Sequence, residues 1–447
     1  MKYLNKKKII YLIILSGFIY SVFLGIINTN KNDNFRLLKN GNFDHSIIRT
    51  DVAQYWHEAH IIKKNLKSGE NFFKAGSEYR NSYLFPRIIA FYYILIDEDI
   101  KDNNGSYKLE NFKFGIPILN SIIFYLSLIF FSKKLNLVFS ENKVVYYIVF
   151  FLALEPTLTQ YHASYWSESI YLSIILVIFG LLIDLNKKKF FNLLIGFLIG
   201  LSFLQRNVSM YLLIPIAIYY IYFFKKFFIG PLFSCCVGFL TVIFFLGYSN
   251  YIKTEKFSIV PSDHKDGPYY LLAHQLNNET SEEKYKKRDI WIKENNLNIT
   301  NKTDKNKIFE YQNQYFKESL KNNLKRFIFI HLKKSTEAQI LNPFFVNNAY
   351  KTDKSFDRYW EKNFYLYKYK ITYSLIIYFI CFIGFIKMFN KINQRLLVLI
   401  FVFLFYYTGI LGWVGWNRYM VPNLVFISIF FGVGLNSVIE NIKNIKK

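Results

Sequence analysis

Residues 191–224 read FNLLIGFLIGLSFLQRNVSMYLLIPIAIYYIYFF, two apolar runs separated by a short polar break at 205–209. Lysines stand at both outer ends, at 187–189 and 225–226, whereas the break contains none. Apolar runs of this length cross membranes as helices, and lysine-rich connections stay on the cytoplasmic side. The stretch therefore predicts a pair of membrane-spanning helices whose short connection lies on the non-cytoplasmic side.

The same pattern extends over the 447-residue chain, which is 52% hydrophobic and 20% aromatic. Lysine-rich connections alternate with lysine-poor ones, so both termini are expected in the cytoplasm. The first apolar run lacks a small-x-small cleavage site, and we interpret it as a retained span. We expect an all-α polytopic membrane protein with about ten transmembrane helices, near 9–27, 114–131, 144–160, 168–185, 191–205, 210–224, 228–248, 369–387, 396–413 and 420–438.

Two long polar segments divide the chain. An N-terminal transmembrane module, 1–248, includes a helical external first loop, 28–113. A mainly helical external region, 249–368, precedes the C-terminal transmembrane helices, 369–447. Within the external region an apolar stripe has nearly helical spacing and basic flanks, so part of it is expected on the membrane surface. The stripe comprises Ile308, Tyr311, Tyr315, Leu320, Leu324, Phe327 and Ile328.

Charge and cysteine content exclude several classes. The net charge of +25 comes largely from lysines beside the spans, where they orient the chain, so no nucleic-acid partner is expected. The three cysteines, Cys235, Cys236 and Cys381, all fall in apolar runs. Neither a disulfide framework nor a thiolate metal site is therefore expected.

The most polar stretch is TDVAQYWHEAH at 50–60. On a helix Asp51, Tyr55 and Glu58 would share one face. Asp51 could simply cap that helix, or it could act as a general base toward a hydroxyl. The HEAH segment is one residue short of the zinc-binding HExxH pattern, so no metal is expected here, although His57 and His60 could still share one.

Other candidate groups map to the same side of the membrane. All seven histidines fall in segments expected outside, and Glu155, Glu168, Arg206 and Arg418 stand at external span ends. The arginines could merely extend toward water, or they could bind a phosphate. This one-sidedness favours an enzyme of the outer surface over a transporter, which would carry polar groups near the midplane in repeated halves.

Several stretches in order resemble the GT-C class of integral-membrane glycosyltransferases, particularly the bacterial branch related to protein O-mannosyltransferases and the lipid A aminoarabinose transferase. The first, DVAQYWHEAHIIKKNLKSG, is similar to that family's first external loop, with Asp51, Tyr55, Ala59 and Gly69 at its marked positions. The others are SYLFPRIIAFYYIL, LEPTLTQYHASYWSESIYLSIILVIFGLL with Pro156 and Glu168, GFLIGLSFLQRNVSMYLLIP with Arg206, SLKNNLKRFIFIHLKK, and NRYMVPNLVFISIF.

The resemblance implies transfer of a sugar from a polyprenyl-phosphate carrier to a lipid, glycan or protein acceptor, at the non-cytoplasmic face of the plasma (inner) membrane. It implies Asp51 as general base in an inverting displacement, and a divalent metal is possible. Cations would stabilise the leaving phosphate, with Arg206 and Arg418 as candidates, and Tyr419 would be a further residue that binds the donor phosphate. The site would be lined by Tyr55, Glu58, Glu168 and His162, with Asp44 and His45 as further candidates.

The chain departs from the family pattern at Thr50, Pro86 and Asn207, which leaves the subfamily and the substrate open. Alternatives are a polymerase or ligase of surface polysaccharide, a flippase for lipid-linked sugar, and a scaffold whose external loops bind partners. A polymerase or ligase usually carries its key arginines in a later external loop. A flippase would need polar residues within its spans.

Overall fold

The computed structural model describes residues 6–31, 50–76, 82–99, 115–139, 142–162, 166–185, 188–254, 257, 259, 268–298, 302–341, 364–391, 394–411 and 420–445. These residues are mostly helical, and no β-strand occurs among them. In chain order the helices are α1 (Lys6–Lys31), α2 (Thr50–Lys67), α3 (Leu84–Leu95), α4 (Gly115–Val138), α5 (Asn142–Leu154), α6 (Pro156–His162), α7 (Glu168–Ile183), α8 (Lys189–Gln205), α9 (Leu213–Phe224), α10 (Ile229–Thr254), α11 (Pro268–Leu276), α12 (Ser281–Glu294), α13 (Lys302–Asn322), α14 (Leu324–Leu341), α15 (Phe364–Lys391), α16 (Gln394–Leu411) and α17 (Asn423–Ile445).

Six of the described helical segments are long and apolar enough to cross a membrane. They are Lys8–Ile26, Gly115–Val138, Asn207–Phe227, Ile229–Lys253, Ile371–Phe389 and Asn423–Ile445. The helical, membrane-embedded character expected from the sequence is thus supported by the structure, and each of the ten predicted runs overlaps one or more of these helices. The remaining four runs form shorter apolar helices, α5, α7, α8 and α16.

The predicted run 144–160 is interrupted. α5 ends at Leu154 and α6 begins at Pro156, because proline lacks the N–H that would continue the preceding helix but fits a first helical turn. The Glu155 carboxylate accepts hydrogen bonds from the Leu158 N–H at 2.9 Å and the Thr157 hydroxyl at 3.0 Å. Glu155 therefore satisfies two donors at the start of α6.

Contacts along the helices fix their relative directions. The Ser169 hydroxyl of α7 donates to the Asn120 carbonyl near the start of α4, at 3.2 Å. At the other end of the same pair, Lys134 and Asp184 form an ion pair at 2.6 Å. α4 and α7 are therefore parallel. We call the end at which α7 begins and α8 ends the site end of the bundle.

Glycines bring two further helix pairs into close contact. Gly196 and Gly200 of α8 face Cys235 and Val242 of α10, so closely that a Cβ at Gly196 would overlap the Cys235 carbonyl. α15 and α17 meet in the same way at Gly384 and Gly434. Along α8 and α10 the contacts advance in the same direction, so this pair is parallel. α16 and α17 are antiparallel, since Asn423 contacts Thr408 and Phe430 packs on Phe401.

The segment containing α2 and α3 is attached to the site end. The Tyr83 N–H donates to the Leu204 carbonyl of α8 at 2.9 Å, and the Tyr83 hydroxyl donates to Ser249 of α10 at 3.0 Å. Ser249 in turn donates to the Phe73 carbonyl at 3.0 Å. These bonds place α2 and α3 over the ends of α8 and α10, where the candidate site lies.

Candidate functional site

The centre of the site end is a buried ion pair between Glu168 and Arg206. Glu168 is the first residue of α7, and Arg206 follows the last residue of α8 with an extended backbone. Arg206 Nη1 donates to Glu168 Oε1, and the two side chains are only 10% and 3% exposed. A charge pair this buried loses most of its hydration, so the surrounding structure must hold its geometry.

Two neighbours support the pair, and one of them connects it to α2. Gln205 Nε2 donates to the Ser167 carbonyl at 2.8 Å, which joins the end of α8 to the start of α7. The Ser167 hydroxyl lies 3.4 Å from Glu168 Oε2 and 3.2 Å from the Tyr55 hydroxyl. Since a carboxylate only accepts, Ser167 donates to Glu168 and Tyr55 donates to Ser167. A chain of hydrogen bonds therefore runs from α2 to Arg206.

Tyr55 is buried and packs edge-on against Phe85 of α3, with ring centroids 5.3 Å apart. Asp51 precedes Tyr55 by four residues in α2, one helical turn away. The α2 helix begins at Thr50, so Asp51 belongs to its first turn. The Asp51 side chain lies outside the described residues.

A second chain of hydroxyl groups begins beside Arg206. The Ser209 hydroxyl donates to the Tyr171 hydroxyl at 2.9 Å, and Tyr171 lies 2.7 Å from the Tyr407 hydroxyl of α16. Next to Tyr407, the Tyr406 hydroxyl donates to the Val208 carbonyl. These contacts fix the end of α16 against the segment that follows Arg206.

Glu58 is partly buried on α2, and its Oε1 lies beside Gly76, whose φ is +102°. A side chain at position 76 would collide with this carboxylate. Glu58 also interacts electrostatically with Arg87 of α3. It therefore faces the turn after α2, while Tyr55 faces Ser167.

Arg87 is a buried residue that we did not single out from the sequence. Its guanidinium donates to the carbonyls of Tyr83 at 3.0 Å and Ala75 at 3.1 Å, and it lies 3.4 Å from the Tyr83 ring centre. Burial lowers the pKa of Arg87, and the nearby Tyr83 and Glu58 raise it. An arginine within the apolar run 83–95 was the available signal, because a charge in such a run is retained only with partners.

His162 lies on another side of α7 from Arg206. It is fully buried, stacks on Phe124 with ring centroids 3.6 Å apart, and places Nδ1 2.8 Å from the Ser169 hydroxyl. Since Ser169 donates to Asn120, His162 Nδ1 carries the proton and donates to Ser169. The structure thus brings Tyr55, Glu168 and Arg206 together and places His162 in a neighbouring cluster.

Four predicted residues, Asp44, His45, Arg418 and Tyr419, lie outside the described residues. Segment 412–419, which contains the last two, joins α16 to α17. The helix ends that flank it are close, since Asn423 Nδ2 donates to the Thr408 hydroxyl at 3.3 Å.

Within the described part of the chain, no three His, Cys, Asp or Glu side chains are grouped so that they could hold a metal ion.

No protein-family model matches this sequence, and no curated protein is significantly similar to it.

Proposed function

We propose that this chain is a membrane glycosyltransferase that moves a sugar from a polyprenyl-phosphate carrier to an acceptor hydroxyl on the non-cytoplasmic face, with inversion. The observation that carries the proposal is the buried Glu168–Arg206 pair, linked through Ser167 to Tyr55 one turn from Asp51. It supports a site in which the anion-binding guanidinium of Arg206 and the helix α2, which carries the Asp51 carboxylate, keep a fixed position relative to each other.

In this mechanism Asp51 accepts the proton of the acceptor hydroxyl as the oxygen attacks the anomeric carbon of the sugar. The bond between that carbon and the lipid phosphate breaks, and its electron pair passes to the phosphate oxygen. Arg206 stabilises the negative charge that grows on this oxygen, because a guanidinium in a water-poor site interacts strongly with an anion. One displacement inverts the anomeric configuration.

Glu168 positions Arg206 in this scheme. A buried arginine with one carboxylate partner has a restricted orientation, so less conformational entropy is lost when the donor phosphate binds. Tyr55 and Ser167 connect that arrangement to α2, so that α2 and Arg206 keep a fixed relation. Arg418 and Tyr419 are proposed as further phosphate ligands on the basis of the family resemblance alone.

The helix directions support ten crossings. α1 runs antiparallel to α4, since Ser21 and Ser121 lie 2.7 Å apart while Phe18 packs on Tyr125. α4 and α7, and α8 and α10, are parallel pairs, and α16 and α17 are antiparallel, as alternating crossings require. With the lysine-rich connections in the cytoplasm, this order of helices favours cytoplasmic termini and a site end outside.

A polymerase or ligase of surface polysaccharide uses the same donors and differs in its acceptor. A flippase would move the donor without breaking the bond to phosphate. One assay separates them: purified full-length protein in detergent is given labelled polyprenyl-phosphate sugars, and donor cleavage is scored together with transfer to extracted lipids and glycans.

The decisive variant is Asp51→Asn, with Asp289→Asn as its matched control. Asp289 is an exposed carboxylate on α12, so its loss should leave transfer unchanged. We expect Asp51→Asn to lower turnover by about 10²-fold or more, since it removes the base, while the protein stays folded. Equal turnover in both variants would exclude Asp51 as base, and an absence of cleavage of any donor by the unsubstituted protein would exclude glycosyl transfer.

A further inference from the structure

Helix α14 leaves one apolar face uncovered. Leu324, Ile328 and Leu332 are spaced four residues apart and share this face, and Phe329 lies beside them. Each of the four side chains is about half exposed or more, from 49% at Ile328 to 65% at Phe329. A continuous, uncovered apolar face of this kind marks an interaction surface.

At the far end of this face, α14 is attached to the last turn of α16. The Ser335 hydroxyl donates to the Thr408 carbonyl at 2.8 Å, and His331 Nε2 donates to the Gly409 carbonyl. The last four carbonyls of a helix have no partner within it, so α14 satisfies two groups that would otherwise be unpaired. The attachment also fixes the height of α14, because α16 spans 18 residues, about 27 Å, and ends where a crossing helix would leave the hydrocarbon core.

The charges of α14 are divided between its two sides. Arg326 and Lys334 turn toward the helical region α11–α13, where they donate to Asn278 and to Gln275. Lys325 and Lys333 are exposed on the arc that carries the apolar residues. No acidic residue occurs between 319 and 336, so the uncovered face is apolar and basic.

We propose that α14 lies in the headgroup layer of the leaflet at the site end, with Phe329 and Leu332 at the acyl boundary and Lys325 and Lys333 against lipid phosphates. An amphipathic helix with apolar and lysine residues on one surface binds an anionic lipid interface in this way. The helices against which α14 packs carry uncovered apolar side chains of their own, such as Phe379 and Phe405. A lipid surface covers all of these together.

This proposal goes beyond glycosyl transfer and requires only that α16 cross the membrane. Its consequence is that α14 connects the lipid surface to the turn of α16 that also contacts the Arg206 segment through Tyr406 and Tyr407. Lipid composition would therefore act on the same turn that supports the site.

The test places an environment-sensitive fluorophore on Phe329→Cys in the full-length protein, reconstituted in vesicles of phosphatidylcholine and phosphatidylglycerol. Lys293→Cys is the matched control, an exposed polar position on α12. The unsubstituted protein contains Cys235, Cys236 and Cys381, so its labelling gives the background fluorescence. This background is subtracted before the emission at positions 329 and 293 is compared. We expect blue-shifted emission at 329 and loss of fluorescence with lipids that carry a quencher near the headgroup, and neither effect at 293.

Equal emission and equal quenching at the two positions would overturn the proposal. Blue-shifted emission at 329 that is independent of quencher lipids and grows with protein concentration would also overturn it, in favour of contact with a second copy of this chain.

The double variant Lys325→Gln/Lys333→Gln tests the charges. Quenching at 329 should rise with phosphatidylglycerol content in the parent and not in the variant. An unchanged dependence would remove lipid phosphate as the partner of these lysines. None of these readouts depends on donor cleavage, so this proposal and glycosyl transfer can fail separately.

Discussion

At Glu168 and Arg206, the free energy of each buried charge depends on the other. Removing one partner of a buried pair leaves an uncompensated charge, at a cost of about 3–5 kcal/mol. We expect Glu168→Gln and Arg206→Gln each to lower the free energy of unfolding by about that amount. The double variant should be less destabilised than the sum of the two, because it buries no charge. Thermal unfolding in detergent, evaluated as a double-mutant cycle, measures this coupling.

The Lys134–Asp184 pair is the matched control for this cycle. It also joins two helices, but its side chains are 21% and 42% exposed. A partly hydrated pair contributes about 0–1 kcal/mol, so Asp184→Asn should have a small effect. Additive losses at Glu168 and Arg206 would contradict the view that these charges depend on each other.

Glu279 gives a prediction for pH. Its carboxylate accepts from the Tyr315 hydroxyl at 2.7 Å and from Lys287 at 2.5 Å, and it pairs with His274. Burial raises the pKa of Glu279, but the hydrogen bonds from Lys287, Tyr315 and His274 lower it further, so the folded-state pKa lies below the ordinary 4.5. The carboxylate therefore stabilises the folded state above pH 4.5, and this contribution is lost as the pH falls toward the folded-state pKa.

We expect amide protection in α11 and α13 to decrease as the pH falls below about 4.5, and this decrease to be smaller in Glu279→Gln. Hydrogen exchange followed by mass spectrometry, corrected for the intrinsic pH dependence, measures it. Glu310→Gln, an exposed carboxylate on α13, should keep the parent's pH dependence. The same dependence in Glu279→Gln as in the parent would show that another group is responsible.

Among the helices, the α8–α10 contact depends on Gly196. Because a Cβ there would overlap the Cys235 backbone, which cannot move like a flexible side chain, the two helices must separate to accept alanine. We expect Gly196→Ala to destabilise the protein by about 1–3 kcal/mol, as overpacking does. Gly230→Ala is the control, since a Cβ at Gly230 meets no atom within 4 Å. Thermal unfolding of both variants in detergent tests this, and equal stability would contradict the close contact.

Helices such as α8 and α10 were predictable because apolar runs of spanning length form helices wherever they occur in the chain. The interruption after Leu154 was missed, although Pro156 was visible. The apolar run continues past it, and hydropathy alone does not register a missing N–H. The α2 helix, by contrast, was expected from the spacing of Asp51, Tyr55 and Glu58.

For the whole molecule, the alternating helix directions and the lysine distribution predict one orientation. A cysteine at Lys293 on α12 should react from outside intact cells with a membrane-impermeant maleimide. A cysteine at Lys226, exposed in the connection between α9 and α10, should react only after permeabilisation. The unsubstituted protein gives the background from its native cysteines. Reaction of the Lys226 position from outside would mean that the orientation is inverted.

The amino-acid sequence by itself determined where the apolar helices lie and which connections carry lysine, because hydropathy and charge are local properties of the chain. It also brought forward Tyr55, Glu168 and Arg206 as candidates. Only the tertiary structure decided that Arg206 pairs with Glu168, that Ser167 connects them to Tyr55, and that His162 belongs to a separate cluster. Those contacts join residues between 7 and 112 positions apart, and they depend on which helices pack together and at what height, which no local pattern specifies.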